Sequence, residues 1–407
     1  MVQQLDPAIF SDEFFAGLES SIVDVNSAEA LPPDCYTDAG FYEFERNAVF
    51  YREWLCVGRE AWLQEPGSFF ATAHAGEPIL VVRNKEGVIK AMSAVCQHRA
   101  MLVAEGKGRV NAFLCPYHHW TYSLDGKLTS APDMERANNF DKSKICLPEF
   151  KVEIWLGFIF VNFDSNAAPL APRLTAVTEA LKNYDLSTAH ESADFPEFVK
   201  EPWNWKVRLE NANDGYHANK LHKGVQHDCC PSELSVFPEL PTNTSGYFRF
   251  NGTTHIDYSN NPTLKPILPI FPKLTVEDRH RVVFACVPPT LFIFARCDHA
   301  TYNIFHVDGP EQMSSQRAWL TASIAPKDPL FKEKLQMVLG ASPLIPQQDR
   351  HVDTLVQVGL RSKFAPRGRY SWQEQAQRDL NYWLVPRYRA EWTRLKGGRR
   401  TTMRAAE

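Results

Sequence analysis

The sequence predicts an α+β protein in two parts: a small antiparallel β domain, then a larger domain whose antiparallel sheet is flanked by helices. Three observations carry this. Residues 53–165 are filled by short β-rich runs broken by Gly, Pro and Asn turn signals. Beyond Pro169, helical patterns alternate with strand-like runs far apart in the chain. Two Cys-His pairs, Cys96-x-His98 and Cys115-x-x-His118, sit in short loops of the β-rich part, where a small domain can hold ligands on hairpin tips.

With 407 residues, the chain can fill one large domain or two ordinary ones. A content of 44% hydrophobic and 23% charged residues is that of a soluble globular protein. A net charge of −4 gives no reason to expect nucleic acid or an anionic membrane as partner, so the expected partner is a small molecule or another protein. Residues 1–15 are acidic and lack the basic start and apolar core of a secretory signal. The longest apolar run, 155–163, is too short to span a bilayer and reads as one buried strand. Of nine cysteines, the seven outside the two loops (35, 56, 146, 229, 230, 286 and 297) show no disulfide spacing, and a reducing cytoplasm is expected.

Taken in order, residues 1–44 form an N-terminal helical segment expected to pack on the larger domain. In 38–54, Phe41, Phe44, Ala48 and Tyr51 recur at helical spacing. The first domain spans 45–165, with strands expected at 54–58, 67–73, 78–83, 88–95 and 152–163 and a turn at Asp125-Gly126. The second spans 166–395: a helix at 174–186, a polar-aromatic stretch at 201–222, strands at 247–250, 282–286, 291–295 and 318–323, and helices from 331. Ser371 with Glu374 reads as a capping box opening a helix whose apolar side carries Trp372, Ala376, Leu380 and Trp383, stopped at Pro386. The basic 396–407 tail is expected to be disordered.

Each loop of the first domain mixes one thiolate with one imidazole, whereas structural zinc sites usually pair Cys with Cys and His with His. Mixed loops suit a two-iron cluster with thiolates on one iron and imidazoles on the other. A zinc-binding loop pair is the plainer alternative. On the pattern C-x-H-(16)-C-x-x-H at 96, 98, 115 and 118, the chain resembles the Rieske non-haem iron oxygenases. The resemblance makes Cys96, His98, Cys115 and His118 the ligands of a [2Fe-2S] cluster. Ala100 and His119 stand where the family commonly has Gly, and Tyr117, Trp120 and Arg99 are expected around the sulfurs.

His217 and His222 lie five apart, with Asp214 one turn before. At about 100° per residue the two imidazoles would point about 140° apart on a regular helix, so a kink or wide turn is needed if both bind one ion. Two surface histidines on a polar helix is the plain alternative. The family motif is similar to this stretch at Asn204-Trp205-Lys206, Glu210-Asn211, Asp214-x-Tyr216-His217 and His222. Two His and one carboxylate leave coordination positions open on an iron that must meet oxygen. The resemblance draws the carboxylate from a C-terminal helix before Gln-x-Gly-Leu, here Gln357 to Leu360, which selects Asp349 with Asp353 as competitor; the family often has an acid where Gln348 stands. It also implies that Asp214 bridges His217 to a cluster histidine, here His118, of a neighbouring subunit, and hence a ring-shaped oligomer. That oligomer would be a homotrimer, with or without a small β subunit. His227-Asp228-Cys229-Cys230 reads as loop and pocket wall.

The function so implied is that of a terminal oxygenase. It would take electrons from NAD(P)H through a separate reductase or ferredoxin and use O2 at a mononuclear Fe(II). Its outcome would be to hydroxylate, dihydroxylate or oxidatively demethylate a small organic substrate. The Phe-, Pro- and Tyr-rich 220–300 region suits an aromatic substrate, with a quaternary ammonium compound as the alternative. A pure electron carrier would leave half the chain unexplained, and a zinc-stabilised binding protein would be colourless.

Overall fold

The computed structural model describes residues 9–193, 195–224, 226–242, 244–253, 265–341 and 344–404. They form two compact units, Phe50–Pro169 and a second built from Met1–Val49 with Leu170–Glu407.

The first unit is antiparallel β. Leu55–Arg59 (β1), Ser68–His74 (β2), Glu77–Arg83 (β3), Ile89–Ser93 (β4) and Lys107–Arg109 (β5) are followed by Phe113–Leu114 (β6), Thr121–Tyr122 (β7) and Leu128–Ser130 (β8). Glu149–Trp155 (β9) and Phe158–Asn162 (β10) complete it. Seven strands pair in the order β1-β10-β9-β4-β3-β2-β5, and β6-β7-β8 make a small second sheet. The apolar run at 155–163 is therefore a hairpin and not one strand. Leu156 and Gly157 between β9 and β10 both have positive φ (49° and 78°), the mirror-image turn whose twist matches that of paired strands. Leu80, Val82, Met92, Phe113 and Tyr122 form a core that also takes in Cys96 and Cys115, so the two thiols are held inside the unit.

The second unit begins with Asp12–Gly17 (α1), Asp34–Thr37 (α2) and Ala39–Glu45 (α3), the last capped by Asp38, whose carboxylate accepts from Phe41 N at 2.6 Å. Then come Thr175–Leu181 (α4), Trp205–Asn213 (α5), Gln226–Cys229 (α6), Val276–Arg279 (α7), Phe331–Ala341 (α8), Leu344–Leu360 (α9) and Gln375–Arg404 (α10). The strands are His190–Glu191 (β11), Val199–Glu201 (β12), Ser235–Val236 (β13), Tyr247–Gly252 (β14), Arg281–Val287 (β15), Leu291–Ala295 (β16), His299–Gly309 (β17) and Gln312–Thr321 (β18). They pair antiparallel in the order β11-β18-β17-β16-β15-β14-β13, with β12 also on β18. Phe15 of α1 stacks on Trp392 of α10, with ring centroids 4.9 Å apart.

Four contacts fix the helices that matter for function. The Asn204 side chain caps α5 by accepting from Lys206 N at 3.0 Å. Trp205 Nε1 donates to Glu45 of α3 at 2.8 Å, and Lys206 Nζ meets the same carboxylate at 2.8 Å in a fully buried pair. At the far side, Gln357 Oε1 on α9 accepts from Asn204 N at 2.8 Å. The Asn-Trp-Lys run and Gln357 are thus the anchors that register α5 and α9 against the unit.

Two sequence expectations fail in α10. The helix runs through Pro386 and continues to Arg404, so neither the stop at 386 nor a disordered tail from 396 is found; residues 405–407 lie outside those described, as do 1–8 of the N-terminal segment. Pro386 removes one backbone donor, but Leu384, Val385 and Tyr388 around it are completely buried, and the Arg387 guanidinium donates to the Trp383 carbonyl near the gap. Trp372, expected on the apolar side, is 47% exposed. Among the described residues no helix is long and apolar enough to cross a membrane.

Candidate metal centres

In the first unit, the two ligand loops have the same backbone plan. Cys96 N donates to Met101 O and Ala100 N to Cys96 O; Cys115 N donates to Trp120 O and His119 N to Cys115 O, all between 2.8 and 3.0 Å. Four residues after each cysteine the chain turns left-handed, with φ 59° at Ala100 and 57° at His119. Those are the two positions where the resemblance anticipates Gly, and the reason is now visible: a side chain there costs conformational energy.

The four side chains separate into two pairs. Cys96 and Cys115 are each 2% exposed, and burial together with the neighbouring Cys96 thiol pushes the Cys115 thiol up. Such thiols need an adjoining cation to become thiolates. His98 and His118 lie toward the surface, ring centroids 4.6 Å apart and 72° inclined. Burial, and after it His118 and Arg99, lowers the His98 pKa, which keeps the imidazole a neutral ligand. Among the described residues one set of three or more His, Cys, Asp or Glu ligand atoms converges within 4.8 Å, and it is not this one. A tetrahedral zinc would draw all four atoms together, whereas a two-iron cluster keeps a sulfur pair and a nitrogen pair apart. The expected surroundings of the sulfurs are found in part: the Tyr117 backbone N–H bonds the Cys115 thiol, and Trp120 shares the buried core of both cysteines. Their rings attend the imidazoles, with Trp120 stacked on His98 (4.7 Å, 12°), Tyr117 against His118 (3.8 Å) and Arg99 over Tyr117. The hydroxyl beside a sulfur is Tyr122, 3.3 Å from Cys96 Sγ and accepting from Gln97 N. Its place on β7, directed into the core, has no local sequence signature.

In the second unit, α5 stops at Asn213 and Asp214 is extended (φ −74°, ψ 120°). A short turn at His217–Asn219 follows, with Leu221 N donating to His217 O at 2.8 Å. This is the break needed to turn both imidazoles inward. His217 Nε2 lies 3.1 Å from His222 Nε2, and Asp349 Oδ1 on α9 is 2.9 Å from His222 Nε2 and 3.6 Å from His217 Nε2. Ligand atoms about 2.1 Å from one ion and at right angles would be separated by about 3 Å. His217 Nδ1 donates to Asp214 Oδ2 at 2.8 Å, and His222 Nδ1 donates to Gln348 Oε1 at 2.8 Å. With each Nδ1 donating outward, both Nε2 lone pairs and the Asp349 carboxylate are directed at one point, where a proton or a metal cation can be held. Three lone pairs crowded in a buried space call for a cation.

The electrostatics agree. Burial lowers the His217 pKa, but hydrogen bonds to Asp214 and Asp349 outweigh it and push it up to about 9. Burial raises that of Asp349, but His217, His222 and Arg208 hold it well below the usual carboxylate range. The pocket attracts positive charge to the point where the three meet. Arg208 Nη1 braces the carboxylates, 3.5 Å from Asp349 Oδ2 and 3.4 Å from Asp353 Oδ2. Asp353, the competitor, thus faces Arg208 and not the histidines. The Gln348 and Arg208 roles were missed in the sequence, because each depends on a tertiary contact. His227 N is tied to His222 O at 3.3 Å, and Cys229 Sγ lies 3.7 Å from Cys230 Sγ, but among the described residues these three belong to no convergent ligand set.

Two family models match the chain. One, the Rieske [2Fe-2S] domain, covers residues 53–150; the other, the ring hydroxylating alpha subunit (catalytic domain), covers residues 183–390, more than half of the chain. The chain belongs to the Rieske ring-hydroxylating oxygenase family. It is 35% identical over 199 residues to the carnitine monooxygenase oxygenase subunit of Acinetobacter pittii, covering 48% of this chain and 53% of that one. It is 32% identical over 194 residues to the glycine betaine monooxygenase oxygenase subunit of Pseudomonas aeruginosa, covering 47% and 44%. The chain thus spans about half the length of the curated relatives it matches. Among solved structures, a quaternary ammonium Rieske monooxygenase superposes with a TM-score of 0.76 at 21% identity, covering 91% of this chain and 98% of that one. Naphthalene 1,2-dioxygenase from Rhodococcus gives 0.75 at 22%, covering 93% and 99%. These likenesses show the fold. The cofactors of a Rieske oxygenase are the [2Fe-2S] cluster and a mononuclear iron, and the two centres described fit them in donor type and spacing.

Proposed function

We propose that this Rieske oxygenase is a terminal oxygenase component that oxidises a small quaternary ammonium compound with O2. Cys96, His98, Cys115 and His118 would hold the cluster, and His217, His222 and Asp349 the mononuclear iron. When bound, the cluster supplies single electrons and the iron an open site for oxygen activation. The chain's own residues prepare that site. Asp214 and Gln348 hold the two imidazoles with Nε2 inward, and Arg208 steadies the carboxylate.

The observation that carries this reading is the convergence of three lone pairs on one buried point. The substrate class is supported by the carnitine and glycine betaine relatives, together with spinach choline monooxygenase, 31% identical over 201 residues. Their similarity supports the quaternary ammonium alternative better than the aromatic substrate expected first. Electrons would come from a separate reductase or ferredoxin. They would pass from the cluster of one copy, at the partner subunit's His118, to Asp214 of the next in a homotrimer. A similar monooxygenase (22% identical, TM-score 0.71) is described for inter-subunit electron transfer. The test is oxygen uptake coupled to product, with a reductase supplied, across a panel of trimethylammonium compounds and small aromatics. Turnover confined to the aromatics would reverse the substrate assignment.

A further inference from the structure

Cys229 and Cys230 stand at the end of α6, outside both candidate metal centres, with their sulfurs 3.7 Å apart. The chain holds them in that relation. Cys230 N donates to Gln226 O at 2.8 Å, the Cys229 thiol donates to the same carbonyl at 3.2 Å, and Thr253 Oγ1 donates to Cys229 O at 2.9 Å. Just beyond, Asn251 Nδ2 donates to Pro231 O at 2.8 Å. The two thiols are thus pinned from both sides.

They differ in access. Cys229 is partly exposed, whereas Cys230 is 2% exposed. The Arg296 guanidinium, in the turn between β16 and β17, interacts electrostatically with both sulfurs and with Asp298. The Asp298 carboxylate accepts from His299 Nδ1 and from the Ile267 and Leu268 amides. The hydrogen bond with the Cys229 thiol, and after it burial, pushes the Cys230 thiol up, against the pull of Arg296 and the Thr253 hydroxyl. Cys230 is therefore kept as a thiol, and Cys229 is the sulfur that a small solute reaches beside a cation. An accessible sulfur in contact with a second, sheltered thiol is the arrangement of reversibly oxidised cysteines.

We propose that Cys229 and Cys230 are a peroxide-sensitive pair that closes to a reversible disulfide between neighbouring residues. The Cys229 thiol gives up its proton, and the thiolate attacks one oxygen of hydrogen peroxide. The O–O bond breaks, the leaving hydroxide recovers that proton and departs as water, and Cys229 becomes a sulfenic acid. The Cys230 sulfur then attacks the Cys229 sulfur; the S–O bond breaks, and a second water leaves with the Cys230 proton. Two thiols have lost two electrons, and one peroxide has become two waters. Neighbouring α-carbons are about 3.8 Å apart, short of the roughly 4.4–6.8 Å usual for disulfides, so the ring is strained and readily reduced. Strain makes the mark labile. Closure also removes the Cys229 S–H from Gln226 O, in a helix whose His227 N bonds His222 O at 3.3 Å. The change is thus placed on the segment that leaves one of the three convergent ligands.

The test is a timed reaction of the metal-loaded protein with hydrogen peroxide, stopped by alkylation and followed by mass after trypsin. Cleavage at Lys223 and Arg249 isolates 224–249, whose two cysteines are Cys229 and Cys230. The exposed Cys146 is the comparison. The peptide should lose both alkylation sites and about 2 Da at least about fivefold faster than Cys146 is modified, and glutathione should restore both thiols. In urea the advantage should fall below about twofold, because it comes from the fold. Cys230→Ser should stop at a sulfenic acid on Cys229 that dimedone captures, and Cys229→Ser should leave Cys230 open to alkylation after unfolding. Modification of Cys146 as fast as that of the pair overturns the proposal. So does an advantage that persists in urea, or a pair that gains oxygen without losing the two hydrogens. Should the serine variants not fold, the rates in the natural protein decide alone.

Discussion

Asp214 Oδ2 and His217 Nδ1 face each other at 2.8 Å across the end of α5, and this one hydrogen bond turns His217 Nε2 toward His222 and Asp349. Asp214→Asn can keep the geometry but not the charge. The expected outcome is retention of both metals with turnover reduced about 10- to 100-fold or more. Iron content and substrate-coupled oxygen uptake check it, and full activity would remove Asp214 from the electron path.

His217→Ala removes one of the three convergent donors. Iron per chain should fall from three to two while the brown colour of the cluster persists. An unchanged iron count would mean that the metal is held elsewhere.

Ala100 and His119 occupy left-handed backbone at equivalent places in the two cluster loops. Ala100→Gly and His119→Gly should each stabilise the first unit by about 1 kcal/mol, because the conformation costs a side chain about 1–2 kcal/mol and a glycine little. The temperature at which the cluster absorption is lost measures this; a decrease in both variants would contradict it.

Lys206 and Glu45 are both completely buried and meet at 2.8 Å. Lys206→Met leaves a buried carboxylate without its cation and should destabilise the second unit by about 3–5 kcal/mol. Urea unfolding followed by tryptophan fluorescence would show it, and a loss below about 1 kcal/mol would mean that the carboxylate protonates at little cost.

Burial pushes the Glu210 carboxyl up to about 7, against the pull of its Tyr36 hydrogen bond and of Lys206. A carboxyl raised in the folded state is without penalty below its unfolded value of about 4.5, and stability is lost as pH rises through about 7. Glu210→Gln should therefore be more stable than the natural protein at pH 8.5 by about 2 to 3 kcal/mol, with the gap narrowing toward pH 5.5. Melting temperatures at the two pH values decide; a gap that widens on acidification would reverse the sign.

How far the sequence discloses this molecule follows from the range of the interactions. The two Cys-His loops are legible because a metal site demands particular residue types at short spacing, and the two-unit α+β organisation because turn residues and β-rich runs are local. Asp349 could be chosen over Asp353 only through the Gln357 interval of the family, as both are buried on the same side of α9. Strand β17 was not anticipated beyond its neighbours. Its His299, Asn303 and His306 are buried polar residues, and a strand covered on both faces shows no alternation. Tyr122, Gln348 and Arg208 were invisible for the same reason: what they touch lies far away in the chain.

The anchoring of α9 through Gln357 has a consequence for how this chain can vary. Gln357 and Asp349 are eight residues apart on one rigid helix, about 12 Å along its axis, so the amide at one end sets the rotational phase of the carboxylate at the other. Inserting or deleting one residue between them would swing Asp349 about 100° away from the histidines without disturbing a single helical hydrogen bond elsewhere. Residues 350–356 are thus a ruler whose length is constrained even where its outward side chains, such as Leu355 and Val356, are free to drift.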